Sequence, residues 1–378
     1  MLRHKHHLLL AAFLLPALSG AALAAHDRDN DNDADDAARI TTIAGLNNIQ
    51  QIGSTENILD ANGNAIMANP NPYKVVVSPE RLGNFPKGSV LVTNIGNDGT
   101  TGTTVVKFQP FPSTGVQFNA AAATLQGPAD IVFNHGRFLV ANSKGGNNVS
   151  VLNPDGTLFT SITDPLFNNP WGVATGDPLS FSELATFFVS NKGDAKLLRV
   201  NVHEGAPGAA PTVKVTQIGQ LTQMADGTKI DMNWVPILKV NGKVMVDVLV
   251  VDDPANNRIA AIPNASTSSS TTATGTTIFT GTPLNLPGGT AINPFNKDIL
   301  VVNLNDNNAV EINPANGKVV ATKTLDPLVV DAQGNNAALF GLTATRDKQG
   351  NLLVYYVDDN TNSLNVLSAA PIVAPAAK

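Results

Sequence analysis

The chain has 378 residues, no cysteine, 43% hydrophobic and only 14% charged residues, and a formal net charge of −6. A chain of this size can build its core without disulfides. Its acidic balance lacks the basic footprint that a phosphate backbone demands, which excludes nucleic acid as a partner.

The first residues combine basic Arg3 and Lys5, an apolar run from Leu8 to Leu15 and small Ala22 and Ala24. That pattern predicts an export signal over residues 1–24, too short to span a bilayer, and a secreted or periplasmic protein. Residues 25–38 carry Asp27, Asp29, Asp31, Asp33, Asp35 and Asp36 and predict an acidic, disordered leader. Their alternate spacing imitates a calcium loop. The turn glycine and distal glutamate of such a loop are replaced by Asn32 and Ala38. No later stretch is long and apolar enough for a membrane helix.

From residue 39 the chain repeats. Six short apolar strands end in Asn94, Asn142, Asn191, Asp252, Asn303 and Asp358, at spacings of 48, 49, 61, 51 and 55 residues. Periods of this length with several strands each belong to propeller blades, because one four-stranded sheet cannot bury both its faces alone. The predicted fold is therefore an all-β, six-bladed β-propeller of four-stranded antiparallel blades over residues 39–368, a monomer. The clearest repeat predicts strands at 127–133, 137–141, 148–152 and 157–162, with turn chemistry at Asn134-His-Gly136 and Asn153-Pro-Asp-Gly156. Residues 203–232 read as a loop insertion that accounts for the longest spacing, and residues 266–277 as a Ser/Thr-rich connection. The last repeat stops after a third strand, before a Pro/Ala-rich tail at 369–378. Residues 39–43 are expected to return as its missing outer strand, which removes exposed sheet edges.

Three phrases carry a family resemblance: Pro170-Trp-Gly-Val-Ala174, the run from Val250 through Asp252 and Arg258-Ile259 to Ile262, and the run from Asn351 to Asp359. At these the chain resembles the NHL-repeat branch of the six-bladed propellers, a broad group that includes gluconolactonase-like and paraoxonase-like enzymes. The resemblance implies the architecture over residues 40–368. It implies no single activity, since one propeller hosts binders, scaffolds, lyases and hydrolases. Under the lactonase branch, Asn71, Asn169 and Asp252 would hold a calcium in the channel. No glutamate stands at an inner-strand start, and the lyase branch needs more histidines than His26, His135 and His203 supply. Otherwise no cofactor is expected.

Aligning the inner-strand phrases places Tyr73, Ala129, Trp171, Trp234, Gly288 and Phe340 at one ring position, with Lys74 and Asp130 at the next. Aromatic side chains at a channel mouth suit stacking on a carbohydrate, another small molecule or a protein partner. The expected function is an exported binding or scaffolding module with Tyr73, Lys74, Asp130, Trp171, Trp234 and Phe340 as its recognition surface. That role requires at least two of the rings to be partly exposed. Rings that plug the channel instead would be buried. The alternative is a calcium-dependent hydrolase or lactonase. The six Asn and Asp strand ends recur in every blade and read as turn-building residues.

Overall fold

The structure of the protein, a computed structural model, describes residues 39–99, 101–120, 125–143, 145–176, 186–203, 212–327 and 338–375. The segments expected to be an export signal and an acidic leader, residues 1–38, lie outside the described residues. Six antiparallel sheets follow one another in chain order, and each inner strand packs against the inner strands of its two neighbours around a closed ring. The inner strands are Pro72–Val77, Pro128–Asn134, Pro170–Thr175, Met232–Val240, Pro287–Ile292 and Leu339–Arg346. They define blades 1 to 6.

The middle strands explain why the repeat is legible. Val90–Asn94 and Ile299–Asn303 are buried at every position, because each blade is covered on both faces by its neighbours. They therefore read as unbroken apolar runs. The outer strands Leu158–Ile162 and Lys318–Thr324 are mostly solvent-facing and lose that signature. Apolar clusters fill the blade interfaces, such as Leu139, Val149, Phe187 and Leu198 between blades 2 and 3.

Ring closure differs in register from the sequence expectation. The strand that completes blade 6 is Asn48–Ser54, antiparallel to Ser363–Ser368, and not residues 39–43. Residues 39–47 form no strand. They carry a short 3-10 turn at Ile43–Gly45 that inserts Ile43 and Leu46 into the cluster between blades 5 and 6. Buried Glu311 accepts the Ile43 N–H at 2.8 Å, and the Lys323 ammonium donates to the Leu46 carbonyl. Two apolar residues three apart bury better in a turn than in a half-exposed edge strand.

Blade 1 departs from four strands. A hairpin of Asn57–Leu59 and Ala65–Met67 joins its outer edge through a parallel pairing of Leu59 with Val116, giving six strands. The chain thus completes blade 6 and then extends blade 1. Residues 203–232 are not simply a loop either: they contain Thr212–Gln220, the outer strand of blade 3. Part of the long spacing comes from long strands there and in blade 4, where Lys243–Asp253 runs for 11 residues.

Candidate functional site

The strand ends behave as structural parts. Asn94, Asn142, Asn191, Asp252 and Asn303 are fully buried. Their amides tie the middle strand to neighbouring loops and strands: Asn94 donates to the Thr55 carbonyl at 2.8 Å, Asn191 to Leu166 at 2.8 Å and Asn303 to Pro283 at 2.7 Å. The four asparagine Nδ2 groups thus find acceptors, while the buried Oδ1 atoms of Asn94, Asn191 and Asn303 accept no hydrogen bond.

The ring position is set by a bulge. In blades 1, 2, 3, 5 and 6 the inner strand shifts register just after the residue opposite the strand end: Pro72 pairs with Asn94, whereas Val75 pairs with Val92. Blade 4 has no such shift, with Met232 opposite Val251 and Trp234 opposite Leu249. Trp234 thus lies three residues deeper in the strand than the residue opposite the strand end, away from the ring position. It packs into the interface of blades 3 and 4 and donates its Nε1–H to Asp247 at 2.7 Å. The residue opposite Asp252 is Asp231, whose N–H donates to Asp252 Oδ1 at 2.7 Å.

Asp231 completes a buried charge cluster on the axis. Lys74 Nζ lies 2.6 Å from both of its carboxylate oxygens. Lys74 is therefore paired across the channel with Asp231, and not with its neighbour Asp130. Asp231 also accepts N–H groups from Met232 at 2.8 Å and Thr290 at 2.6 Å, while Asp130 accepts from Ile131 at 2.6 Å and Val173 at 2.8 Å. Glycines let the strands come this close: a Cβ on Gly341 would stand 2.5 Å from the Tyr73 carbonyl oxygen, and one on Gly172 2.3 Å from that of Ile230. The cavity left beside the cluster is about 10 Å³, room for one water at most.

Three carboxyls and one ammonium cannot all be charged in so dry a place. Burial pushes the Asp130 carboxyl up to about 7 against the pull of Lys74, and burial with Asp231 alongside pushes Asp252 well above the carboxylate range. Burial alone would lower Lys74, but Asp231 and Asp130 outweigh it and hold the ammonium charged. Elsewhere burial raises Asp298 and Asp358 to about 6, and Glu311 also upward. All five acids bind protons more tightly folded than unfolded, so stability falls as pH rises from about 4, the unfolded carboxyl range, to the folded values of about 6 to 7. Unfolding by denaturant is expected to show the protein more stable at pH 5 than at pH 8, on the order of 2–3 kcal/mol from Asp130 alone. Lys229, lowered to about 8, acts in the opposite sense only above that pH. Equal stability at the two pH values would contradict the arrangement.

The aromatic residues form a plug above this cluster. Tyr73 and Trp171 meet edge-on at 4.7 Å, and Tyr73 and Phe340 lie 4.6 Å apart. Their exposures are 6%, 3% and 4%, so the expectation of partly exposed rings fails for all three. Neither the Tyr73 hydroxyl nor the Trp171 Nε1–H has a hydrogen bond of normal geometry. Two lysines that the sequence reading missed cap the plug. Lys192 Nζ lies 4.4 Å from the Trp171 ring centre, and Lys229 Nζ lies 5.3, 5.7 and 5.9 Å from those of Phe340, Trp171 and Tyr73.

Open space begins beside Lys192. A cleft of about 590 Å³ is lined by Asn147, Asn168, Asn169, Lys192, Gln223 and Asp226, with Gly193, Ala225 and Gly227 between them. Its far wall is the loop that enters blade 4, pinned by Thr228 N–H and the Gln223 amide, both donating to the Lys192 carbonyl at 3.0 and 3.1 Å. Asn169, with φ of 60°, takes the left-handed turn that asparagine tolerates and donates its N–H to Asn147 at 2.7 Å. Asn71 has the same conformation in blade 1, with φ of 68°.

The calcium set can be tested on these atoms. Asn71 Oδ1, Asn169 Oδ1 and Asp252 Oδ2 are buried acceptors without hydrogen bonds, as a cation would require. They come from blades 1, 3 and 4, and Asp252 belongs to the cluster whose cation is Lys74. Among the described residues no three His, Asp or Glu side chains are grouped to hold a metal. The set fits a calcium poorly.

No family model matches the chain, and no curated protein matches it. Among solved structures it is similar to a structural-genomics protein of unknown function from Bacteroides thetaiotaomicron VPI-5482, at 11% identity and a TM-score of 0.53, covering 84% of this chain and 74% of that one. An auxiliary nutrient binding protein from the same organism is similar at 10% identity and a TM-score of 0.52, covering 84% and 75%. These likenesses show the fold. Among the described residues no helix is long and apolar enough to cross a membrane.

Proposed function

We propose that this chain is an exported, NHL-like propeller that binds a small polar molecule at the mouth of its channel, beside blade 3. The observation that carries this reading is the 590 Å³ cleft, large enough for a small ligand and lined by amide side chains, a lysine and an aspartate. Behind it the channel is closed by packed rings and a neutralised charge cluster, so a ligand stays at the rim. The aromatic plug supports the rim and takes no direct part. A propeller neighbour described as an auxiliary nutrient binding protein is in keeping with such a role.

The test uses Ala225, an exposed residue of the cleft wall. Ala225→Trp obstructs the cleft from its wall without touching the core and is expected to change stability by less than about 0.5 kcal/mol. Equilibrium dialysis against a metabolite extract, read by mass spectrometry, is expected to enrich a small molecule with the native protein and not with the variant. Equal enrichment by both, or by neither, overturns the reading.

The calcium-dependent hydrolase has one observation in its favour, the unpartnered oxygens of Asn71, Asn169 and Asp252. A melting temperature that rises in calcium and falls in chelator would support it. Lys74, standing as the cation among the axial carboxylates, weighs against it.

A further inference from the structure

Lys229 is placed at some cost. It lies between Thr228 and Ile230, both fully buried, and its ammonium is within 6 Å of three ring centres. Among the described residues that ammonium makes no hydrogen bond and no ion pair; its contacts are the ring faces. Ring faces attract a cation but accept no N–H in the way an oxygen does, so the three donors stay available. A second ammonium, that of Lys192, sits over the same Trp171 ring and lines the cleft. Two like charges gathered over one ring repel each other, and an oxyanion placed between them relieves that repulsion.

The loop geometry keeps the two together. The Thr228 N–H donates to the Lys192 carbonyl at 3.0 Å, which locks the residue before Lys229 onto Lys192 itself. Ser190 Oγ–H donates to the Ile230 carbonyl at 2.7 Å and fixes the residue after it. A site whose charges are held in advance binds without paying to assemble them.

We propose that the ligand of the cleft is an acid, whose oxyanion is bound by Lys229 and Lys192 above Trp171 while its polar remainder occupies the amide-lined space. The inference rests on the cleft reading and adds the ligand's charge. Other charged groups face Lys229: Asp226 from its own loop and Asp359 from blade 6 attract its proton, and Lys192 repels it. Burial and Lys192 prevail, bringing the Lys229 ammonium down to about 8. The Tyr73 phenol, raised well above its usual range by burial, stays neutral and contributes no charge. An oxyanion at this point reverses the balance and pulls the proton back onto Lys229. Binding is therefore tightest below pH 8 and weakens as pH rises above it.

The experiment is NMR of the protein with 13Cε-labelled lysine, titrated with inorganic phosphate, galacturonate and galactose. Phosphate and galacturonate are expected to shift the Lys192 and Lys229 signals and to raise the pH at which Lys229 titrates, and galactose to do neither. Lys229→Met keeps an apolar stem on the rings and removes the charge. It is expected to weaken galacturonate binding about tenfold or more. Failure to move either lysine signal with either anion at millimolar concentration overturns the proposal, as does a Lys229→Met variant that binds galacturonate unchanged. If metabolites captured in the cleft prove neutral and indifferent to Lys229→Met, the acid inference falls and the cleft reading stands. If both anions act on the lysines while Ala225→Trp captures the same metabolites as the native protein, the anion site stands and the cleft reading falls.

Discussion

Asp231→Ala is expected to destabilise the fold by about 3–5 kcal/mol, because it leaves the buried Lys74 ammonium without its partner. The side chains of this pair are 10% and 8% exposed, so water cannot replace the lost carboxylate. The Thr290 and Met232 N–H groups lose their acceptor at the same time. Adding Lys74→Met should recover much of the loss, since an unpaired charge costs more than an absent pair. Recovery should stay incomplete, because the two backbone donors remain unsatisfied at about 1–3 kcal/mol each. Denaturant unfolding of the two single variants and the double variant checks this. A double variant no more stable than Asp231→Ala would show that the ammonium is not the source of the cost.

Trp171→Ala should cost a similar amount, about 3–5 kcal/mol, as truncation of a large core side chain does. Trp171 is 3% exposed, meets Tyr73 edge-on and carries the Lys192 ammonium on its face. Removing the ring opens a void at the point where blades 1, 3 and 6 meet. Trp171→Phe keeps an aromatic face and gives up an indole N–H that has no hydrogen bond, so it should cost less than about 1.5 kcal/mol. Thermal or denaturant unfolding separates the two variants. If Trp171→Ala left stability untouched, the ring would be a surface group and not a plug.

The repeat was legible in the sequence because the middle strands are buried on both faces. Their unbroken apolar runs and terminal Asn or Asp mark six blades without ambiguity. Lys74 and Asp130 were legible as one repeat position in adjacent blades, because the inner strands share a pleat, but as part of an open recognition surface, whereas both are buried. The closing strand was placed too early because Ile40 and Ile43 look like a strand edge. Their burial comes instead from a turn wedged against Glu311 and blade 6.

Tertiary structure alone decided the site. The inner strand of blade 4 enters without the bulge and with Asp231 opposite its strand end, three residues before Trp234, so Asp231 and not Trp234 reaches the axis, and nothing in the one-dimensional pattern marks that register. Lys74 and Asp231 are 157 positions apart and meet only because six blades close a ring. Lys192 and Lys229 lie in turns outside the repeat, where polar residues carry no periodic signal. The sequence determined which strands are buried, since burial on two faces leaves its mark on every residue. Which charges face one another across the axis depends on register and closure, and those are properties of the assembled ring.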